Sequence, residues 1–268
     1  MKVTTLAELL DKMWKDYVAI NPLAQGVYNL LSQDSEKILN DHIALRTFNH
    51  SRLTIDVLAK PFIQSGYSYK GDYHFPDKKL YAKHFEHTDL SLPKIFISEL
   101  KLEDFSSSLN KIVHRLIDEI PVGKESEFDF VSSGRPWVVS INDYHELLKE
   151  SDYAAWVAAF GFRPNHFTVL VNALKKFTDL TALNIYLKEN GYKLNASGGE
   201  IKGSQSVCLE QSSTLANNIE VTFTDGKLTI PACYYEFAKR YPMKNGKLYQ
   251  GFVAASADKI FESTSQGQ

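Results

Sequence analysis

Cysteine is scarce in this 268-residue sequence, which contains only Cys208 and Cys233. Two cysteines cannot build the disulfide framework of a small secreted domain, so we expect buried thiols and a cytoplasmic, reducing location. A net charge of −2 without a dense Lys/Arg run argues against a nucleic-acid partner. No apolar run is long enough to span a bilayer, and the amphipathic first twenty residues are not expected to be a signal peptide; no membrane partner is predicted.

Local signatures of several enzyme classes are also missing. The sequence has no Gly-x-Ser-x-Gly elbow of a serine hydrolase. The Gly-rich segment 196–203 lacks the spacing of a phosphate-binding loop and favours a β-turn.

Apolar periodicity divides the chain into a helical start and two mixed α/β stretches. In the first stretch, alternating β-favouring residues predict strands, and a 3.6-residue period predicts a helix. The predicted elements are a strand at 41–49, a helix at 52–65, and strands at 67–75, 79–87 and 94–100. Helices are then predicted at 103–120 and 145–161, the second of them ended by Gly161.

The same order of elements returns in the second stretch. It comprises a strand at 165–172, a helix at 178–190, and strand-like segments at 191–203, 207–216, 218–231 and 233–240. Asp225-Gly226 is a hairpin turn signal, and it gives the second copy a longer central hairpin than the first.

Two pairs of residues mark the repeat. His42 aligns with His166 and Gly66 with Gly191, and the glycine follows the histidine by 24 residues in one copy and by 25 in the other. Both copies have the order β-α-β-β-β, which indicates an internal duplication.

The predicted fold is α+β, with two tandem βαβββ modules and helices between and around them in a single domain, 1–268. The expected boundaries are module one at about 41–101, a helical insert at about 102–160, module two at about 161–241 and a C-terminal helix at about 250–264.

Strand parity brings polar residues of both copies to one face. His42 and Arg46 share a face of the first strand, because side chains alternate along a strand. In the last strand of the second copy, Glu236 shares its face with Tyr234. A carboxylate inside an aromatic strand is unusual, since Glu is almost never fully buried unless it is paired or bound to a metal. If the modules pack side by side, His42, His166 and Glu236 point into one concave space.

Two histidines and one carboxylate around open positions form the facial triad of non-haem Fe(II) oxygenases, whereas a structural zinc site closes all four positions. A single histidine on a strand is more often structural than a ligand, but duplicated positions favour the metal site. Each last strand also follows a proline, Pro93 or Pro231. Counting five residues from each proline aligns Glu236 with Ser98, whose hydroxyl is a weak metal ligand. Glu99 is one residue out of parity and would reach the metal only if a β-bulge shifted it.

A competing set of ligands lies in the segment 73–87. It contains His74, His84, Glu86 and His87. His84 and His87 face opposite ways on a flat strand, so they cannot bind one ion together. His84 with Glu86 can share a face, and a supporting role next to the metal ligands is an equally good interpretation.

Four segments together resemble one family. These are "DHIALRTF", "PNHFTVLVN", "CYYEFAKRYP" and "GFVAASADKIFEST", and from about Asp41 to Thr264 they are similar to the 2-oxoadipate dioxygenase/decarboxylase family, whose fold is that of the vicinal oxygen chelate superfamily. The resemblance implies Fe(II) bound by His42, His166 and Glu236, and a substrate-binding arginine at Arg46. Val253 is implied as a residue that contacts substrate.

The function that this resemblance implies is Fe(II)-dependent conversion of a 2-oxo acid with O₂, namely 2-oxoadipate to 2-hydroxyglutarate with release of CO₂. Arg46 would pair with the distal carboxylate in a bidentate geometry. Family members assigned to 2-oxoadipate are longer than this chain, so another 2-oxo acid remains open. The alternatives are a metal-dependent isomerase, lyase or hydrolase on the same fold, and a non-catalytic module that binds a small ligand.

Overall fold

The computed structural model describes residues 3–33 and 38–254, which begin with two packed helices. Helix α1 is Leu6–Ile20 and helix α2 is Pro22–Ser32. A capping box starts α1: the Thr5 hydroxyl accepts from the Glu8 N–H, and the Glu8 carboxylate accepts from the Thr5 N–H. Apolar residues of α1 repeat at helical spacing on the face that joins the core, namely Leu9, Met13 and Tyr17.

The first module has the predicted order of elements. It consists of β1 (Asn40–Phe48), α3 (Ile55–Gln64), β2 (Ser68–Phe75), β3 (Leu80–Glu86) and β4 (Lys94–Leu100). Strand β4 runs parallel to β1 on one side and antiparallel to β3 on the other, and β3 pairs with β2. This is a βαβββ unit.

Three helices fill the region between the modules: α4 (Ser107–Asp118), α5 (Ile141–Leu148) and α6 (Asp152–Phe160). The single helix predicted at 145–161 is wrong, because Ser151 accepts a hydrogen bond from the Ala154 N–H and starts a separate helix there. Gly161 ends α6 as predicted, with φ +68°. A Cβ at this position would lie 2.3 Å from the carbonyl oxygen of Gly134, so only glycine fits.

The second module repeats the unit and adds a hairpin. Its elements are β5 (His166–Leu170), α7 (Leu180–Glu189), β6 (Lys202–Ser204), β7 (Leu209–Ser213), β8 (Asn218–Phe223), β9 (Gly226–Pro231) and β10 (Glu236–Arg240). Strand β10 is parallel to β5 and antiparallel to β7, as β4 is to β1 and β3. The strand expected at 191–203 is wrong for most of that range, since only β6 forms and Gly198 and Gly199 turn the chain with positive φ.

One sheet joins the modules through an antiparallel pair, β1 and β5, in the order β2-β3-β4-β1-β5-β10-β7-β6, while β8 and β9 form their own ribbon. Ala44 pairs with His166 and His42 pairs with Thr168. Exchanging the modules converts one of these pairs into the other, so the two histidines are related by a local two-fold axis. The mixed fold of two βαβββ modules is therefore confirmed.

The register corrects the predicted counterpart of Glu236. Glu236 pairs with Thr168, and its equivalent in module one is the partner of Ala44, which is Phe96. The expectation of Ser98 is wrong, because Pro231 ends strand β9 of the inserted hairpin and Pro93 lies directly before β4. An apolar ring, that of Phe96, therefore occupies the position in module one that corresponds to Glu236.

The end of the described chain is a segment without regular structure. Residues 248–253 follow β10 and a short turn, and the predicted helix at about 250–264 lies mostly outside the described residues. Between residues 3 and 254, omitting 34–37, no helix combines the length and hydrophobicity needed to cross a membrane.

Candidate metal centre

Three buried side chains from distant parts of the chain converge at the β1–β5–β10 junction. His42, His166 and Glu236 each offer one ligand atom, and these atoms all lie within 4.8 Å of one another. The Nε2 atoms of the two histidines are 3.4 Å apart. The Glu236 carboxylate oxygens lie 3.7 Å from Nε2 of His42 and 3.3 Å from Nε2 of His166. The predicted convergence of these three side chains is present.

These distances fit a shared divalent ion. Two ligand atoms that each lie about 2.1 Å from one ion are roughly 3.0 Å apart at a right angle and about 3.4 Å apart at a tetrahedral angle. The observed separations of 3.3 to 3.7 Å are close to these values. Two imidazoles and a carboxylate also form the donor set that non-haem Fe(II) sites use.

Hydrogen bonds fix both imidazoles in the tautomer that a metal requires. Nδ1 of His42 donates to Oδ1 of Asp41 at 2.8 Å, and Nδ1 of His166 donates to Oδ1 of Asn165 at 3.1 Å. Since Nδ1 carries the proton in each ring, the lone pair of each Nε2 faces the shared space.

Burial favours the neutral form of all three groups when no cation is bound. It lowers the pKa of His42, and it lowers the pKa of His166 further still. Burial also raises the pKa of Glu236 to about 8. A divalent cation would supply the positive charge that lets Glu236 ionise in this environment.

A glutamine of β7 holds the carboxylate, and a buried lysine of β6 lies beside that glutamine. Nε2 of Gln211 donates to Oε1 of Glu236 at 2.6 Å and fixes one oxygen. Lys202 pairs with Gln211 across the strands and is buried, and its ammonium group donates to the backbone oxygen of Asn195 at 2.7 Å. Sequence reasoning did not find these residues, because the pairing of β7 with β10 and of β6 with β7 is a tertiary feature of short strands.

Arg46 lies on the same face of β1 as His42, as predicted, and is buried. Its guanidinium carbon is 5.0 Å from the ring centres of both Tyr153 and Trp156 in helix α6. Arg46 and Tyr153 also line a cavity of about 260 Å³ bordered by residues 77–80 and 148–153. The arginine therefore borders a cavity, with two rings packed against it.

The ring of Tyr234 lies against the candidate metal centre. Its ring stacks on His166, with centres 4.7 Å apart and an interplanar angle of 26°. Burial raises the pKa of its hydroxyl well above 10; the Glu236 carboxylate raises it further, and the Arg46 guanidinium lowers it. The ionisable groups of Glu236 and Arg46 therefore both affect this hydroxyl.

The competing histidines have other partners. Nε2 of His84 bonds Glu86 at 3.0 Å and its Nδ1 bonds the Tyr73 hydroxyl at 2.9 Å, so His84 and Glu86 pair with each other. His74 is largely exposed, and His87 lies against Tyr67. Among the described residues, only His42, His166 and Glu236 form a group of three that could hold an ion.

Glu99 also lies outside the centre. Its Oε2 accepts from the N–H of Ile55, the first residue of α3, at 2.9 Å, so it caps a helix. The conditional prediction that a bulge would bring Glu99 to the metal is wrong, because β4 pairs with β1 in continuous register from Lys94 to Leu100.

Val253 is half-buried in the segment 248–253, and its role as a contact to substrate stays a prediction. Its neighbour Phe252 packs edge-on against His42, with ring centres 4.8 Å apart, and also contacts Phe96 at 5.0 Å. Sequence reasoning missed Phe252, since a ring in a loop gives no periodic signal.

Arg240 anchors the segment that carries Phe252. Its guanidinium forms two hydrogen bonds with the Asp41 carboxylate, at 2.5 and 2.8 Å. The same group donates to the backbone oxygens of Tyr249 and Gly251, each at 2.9 Å. One arginine therefore connects the carboxylate that orients His42 to the segment covering the centre.

The paired modules and their single sheet define the fold of the glyoxalase, or vicinal oxygen chelate, superfamily. A protein from Ralstonia eutropha JMP134 assigned to the glyoxalase superfamily has this fold, with 20% identity and a TM-score of 0.76 over 92% of this chain and 85% of that chain.

Within that fold, the chain belongs to the 2-oxoadipate dioxygenase/decarboxylase family, whose model matches residues 2–247. A curated relative from Arabidopsis thaliana, "2-oxoadipate dioxygenase/decarboxylase, chloroplastic", is 34% identical over 97% of this chain and 77% of its own length. The solved hydroxyglutarate synthase of Oryza sativa, in complex with 2-oxoadipate, is 34% identical, with a TM-score of 0.90 over 96% of this chain and 91% of that chain. A Shewanella frigidimarina NCIMB 400 structure, provisionally described as a hydrolase, is 51% identical, with a TM-score of 0.91 over 95% of this chain and all of that chain.

Proposed function

We propose that this protein is an Fe(II)-dependent dioxygenase/decarboxylase that converts 2-oxoadipate and O₂ to 2-hydroxyglutarate and CO₂. The observation that carries the proposal is the buried group of His42, His166 and Glu236, in which Nδ1 of each imidazole is hydrogen-bonded away from the group and each Nε2 lies within 3.7 Å of a Glu236 carboxylate oxygen. Family membership and the names of the Arabidopsis and rice relatives support the substrate. The reaction balances with one O₂ consumed and one CO₂ released for each 2-oxo acid.

In comparison with the rice structure, the predicted length difference does not argue against this substrate. The rice protein was solved with 2-oxoadipate, and this chain covers 91% of it. The compact chain therefore spans nearly all of a structure that holds the proposed substrate.

The residues of this chain have distinct roles in the scheme. His42, His166 and Glu236 would hold Fe(II), which supplies the redox chemistry and the Lewis acidity that a reaction with O₂ requires. Asp41 and Asn165 keep both imidazoles oriented.

Arg46 orients the substrate. Its guanidinium would pair with the distal carboxylate of the 2-oxo acid in a bidentate geometry, with Tyr153 and Trp156 restricting its position. A fixed distal carboxylate holds the keto group at the opposite end of the ligand toward the metal centre.

Apolar rings exclude water from the centre. Phe96 occupies the position that corresponds to Glu236 in the other module, and Phe252 packs against both Phe96 and His42. A dry site strengthens the electrostatic interactions inside it and limits side reactions with water.

Oxygen uptake tests the proposal. Protein loaded anaerobically with Fe(II) is mixed with aerated 2-oxoadipate, 2-oxoglutarate or 2-oxohexanoate, and O₂ and 2-hydroxyglutarate are measured. We expect 2-oxoadipate to stimulate uptake and give equal amounts of product and consumed O₂. The His166→Ala variant should lose this activity, whereas His74→Ala, which changes an exposed histidine, should retain it. The proposal is wrong if no 2-oxo acid raises uptake above that of His166→Ala.

A second candidate is a hydrolase, isomerase or lyase that uses a redox-inert ion. The provisional description of the Shewanella frigidimarina structure favours a hydrolase, and His₂-carboxylate sites accept several divalent metals. Turnover under argon with Zn²⁺ or Ni²⁺ would favour this candidate, and a strict requirement for O₂ and Fe(II) would exclude it.

A further inference from the structure

Tyr234 carries a buried hydroxyl that makes no hydrogen bond within the described part of the chain. Buried hydroxyl groups nearly always have a partner, because an unsatisfied one costs the folded protein on the order of 1–3 kcal/mol. A hydroxyl of this kind beside a candidate metal centre indicates a ligand that completes its hydrogen bonding.

The position of this hydroxyl is firmly held. The ring stacks on His166, and the backbone oxygen of Tyr234 accepts a hydrogen bond from the Tyr17 hydroxyl at 2.5 Å. Because ring and backbone are both fixed, the hydroxyl is presented to the site in one orientation, at little entropic cost on binding.

A cation, Arg46, extends from the same face of β1 as His42, whose Nε2 lies 3.4 Å from Nε2 of His166. The Arg46 guanidinium acts electrostatically on Cys233, Tyr234 and His166. The faces of this guanidinium lie near the rings of Tyr153 and Trp156, so an anion approaches it along its edge. An arginine and a neutral hydroxyl donor in the same buried region can share one carboxylate, which can accept about four hydrogen bonds.

We propose that Tyr234 is a specificity-determining residue whose hydroxyl donates a hydrogen bond to the distal carboxylate of the 2-oxo acid, beside Arg46. This inference rests on the proposed function. It adds a neutral donor to the charged one, so a dicarboxylate is distinguished from a 2-oxo acid that ends in a methyl group.

The chain supplies a matched control in the next residue. Tyr235 is equally buried, and its hydroxyl also has no hydrogen bond among the described residues. Its ring packs near Trp14, Tyr17 and Phe237 instead of His166. Tyr235→Phe and Tyr234→Phe thus each remove one buried hydroxyl, and only the second removes it from a ring that stacks on His166.

Calorimetric titration under argon compares two probes, 2-oxoadipate and 2-oxohexanoate, on the Fe(II)-loaded protein. For Tyr234→Phe we expect the affinity for 2-oxoadipate to fall on the order of 10- to 100-fold, because a hydrogen bond to a charged group is lost. Affinity for 2-oxohexanoate should change less than about twofold. Tyr235→Phe should bind both probes like the wild type. Unchanged affinity for 2-oxoadipate in Tyr234→Phe, or equal losses for both probes, would overturn the inference.

Two further measurements separate this role from a structural one. The melting temperature of ligand-free Tyr234→Phe should equal or exceed that of the wild type, because the substitution removes an unsatisfied group; a decrease would contradict the inference. In a double-mutant cycle with Arg46→Lys, the losses in 2-oxoadipate affinity should be non-additive, and additive losses would contradict a shared carboxylate.

The design also separates this inference from the proposed function. If the wild type binds 2-oxoadipate but consumes no O₂, the proposed reaction is wrong and the comparison of variants still decides the role of Tyr234. If the wild type binds neither probe, both proposals are wrong.

Discussion

Nε2 of His42 lies 3.4 Å from Nε2 of His166, although 124 residues separate them in the chain. Each histidine is in the first strand of its module, and these strands pair antiparallel at the centre of the sheet. The two-fold relation of the modules therefore brings equivalent residues together, and the last strand of module two adds Glu236. The candidate metal centre is thus a consequence of the duplicated fold.

Loss of one imidazole should abolish tight metal binding. His166→Ala removes one of three ligands, so we expect the affinity for Fe(II) to fall at least about 100-fold. Elemental analysis after anaerobic dialysis measures the bound metal. The exposed His74→Ala is the control and should keep its metal. Equal metal content in both variants would contradict the ligand assignment.

Replacement of Arg46 should separate substrates by charge. Arg46→Lys keeps a positive charge but loses the bidentate pair and the packing with Tyr153 and Trp156. We expect KM for 2-oxoadipate to rise at least about 10-fold and KM for 2-oxohexanoate to change little. The exposed Arg115→Lys serves as control. An equal rise for the two substrates would argue against a contact to the distal carboxylate.

Glu236 should make the stability of the metal-free protein depend on pH. Its pKa is raised by burial to about 8 in the folded state, against 4.5 ordinarily. The folded state therefore favours the protonated form, and this contribution is complete below pH 4.5 and is lost as the pH rises to 8. Melting temperatures in the presence of a chelator should fall between pH 5 and 8 relative to Glu236→Gln. A constant difference between the two proteins across this range would contradict the raised pKa.

Arg240 should couple the metal centre to the segment 248–253. Arg240→Lys cannot bond Asp41 and two backbone oxygens together, so the segment should loosen and the orientation of His42 should weaken. We expect faster hydrogen exchange in peptides covering 248–253 and a roughly 10-fold or greater loss of metal affinity. Arg115→Lys is again the control. Faster exchange with unchanged metal affinity would show that the arginine only anchors the chain.

Much of this architecture could be predicted from the sequence, because it depends on local patterns. Strands β1 to β4 and helices α3 and α7 follow from side-chain alternation and helical spacing. The repeat was visible in the spacing of His42, Gly66, His166 and Gly191, and both glycines have the positive φ that ends a helix. The alternation of side chains along the strands then predicts that the two histidines and Glu236 point into one concave space.

Other features depend on tertiary pairing, which spacing alone does not encode. Counting from Pro231 selected Ser98 instead of Phe96, because the proline belongs to an inserted hairpin. Gln211 and Phe252 reach the centre from a short strand and from a loop, where no periodicity distinguishes them. The orientation of each imidazole depends on its sequence neighbour, Asp41 or Asn165, and such contacts require coordinates.

The most direct test is anomalous X-ray scattering at the iron edge from crystals of the protein loaded anaerobically with Fe(II). The account predicts one peak about 2.0–2.2 Å from Nε2 of His42, Nε2 of His166 and a carboxylate oxygen of Glu236. A peak held by other residues, or no peak near these three side chains, would contradict it.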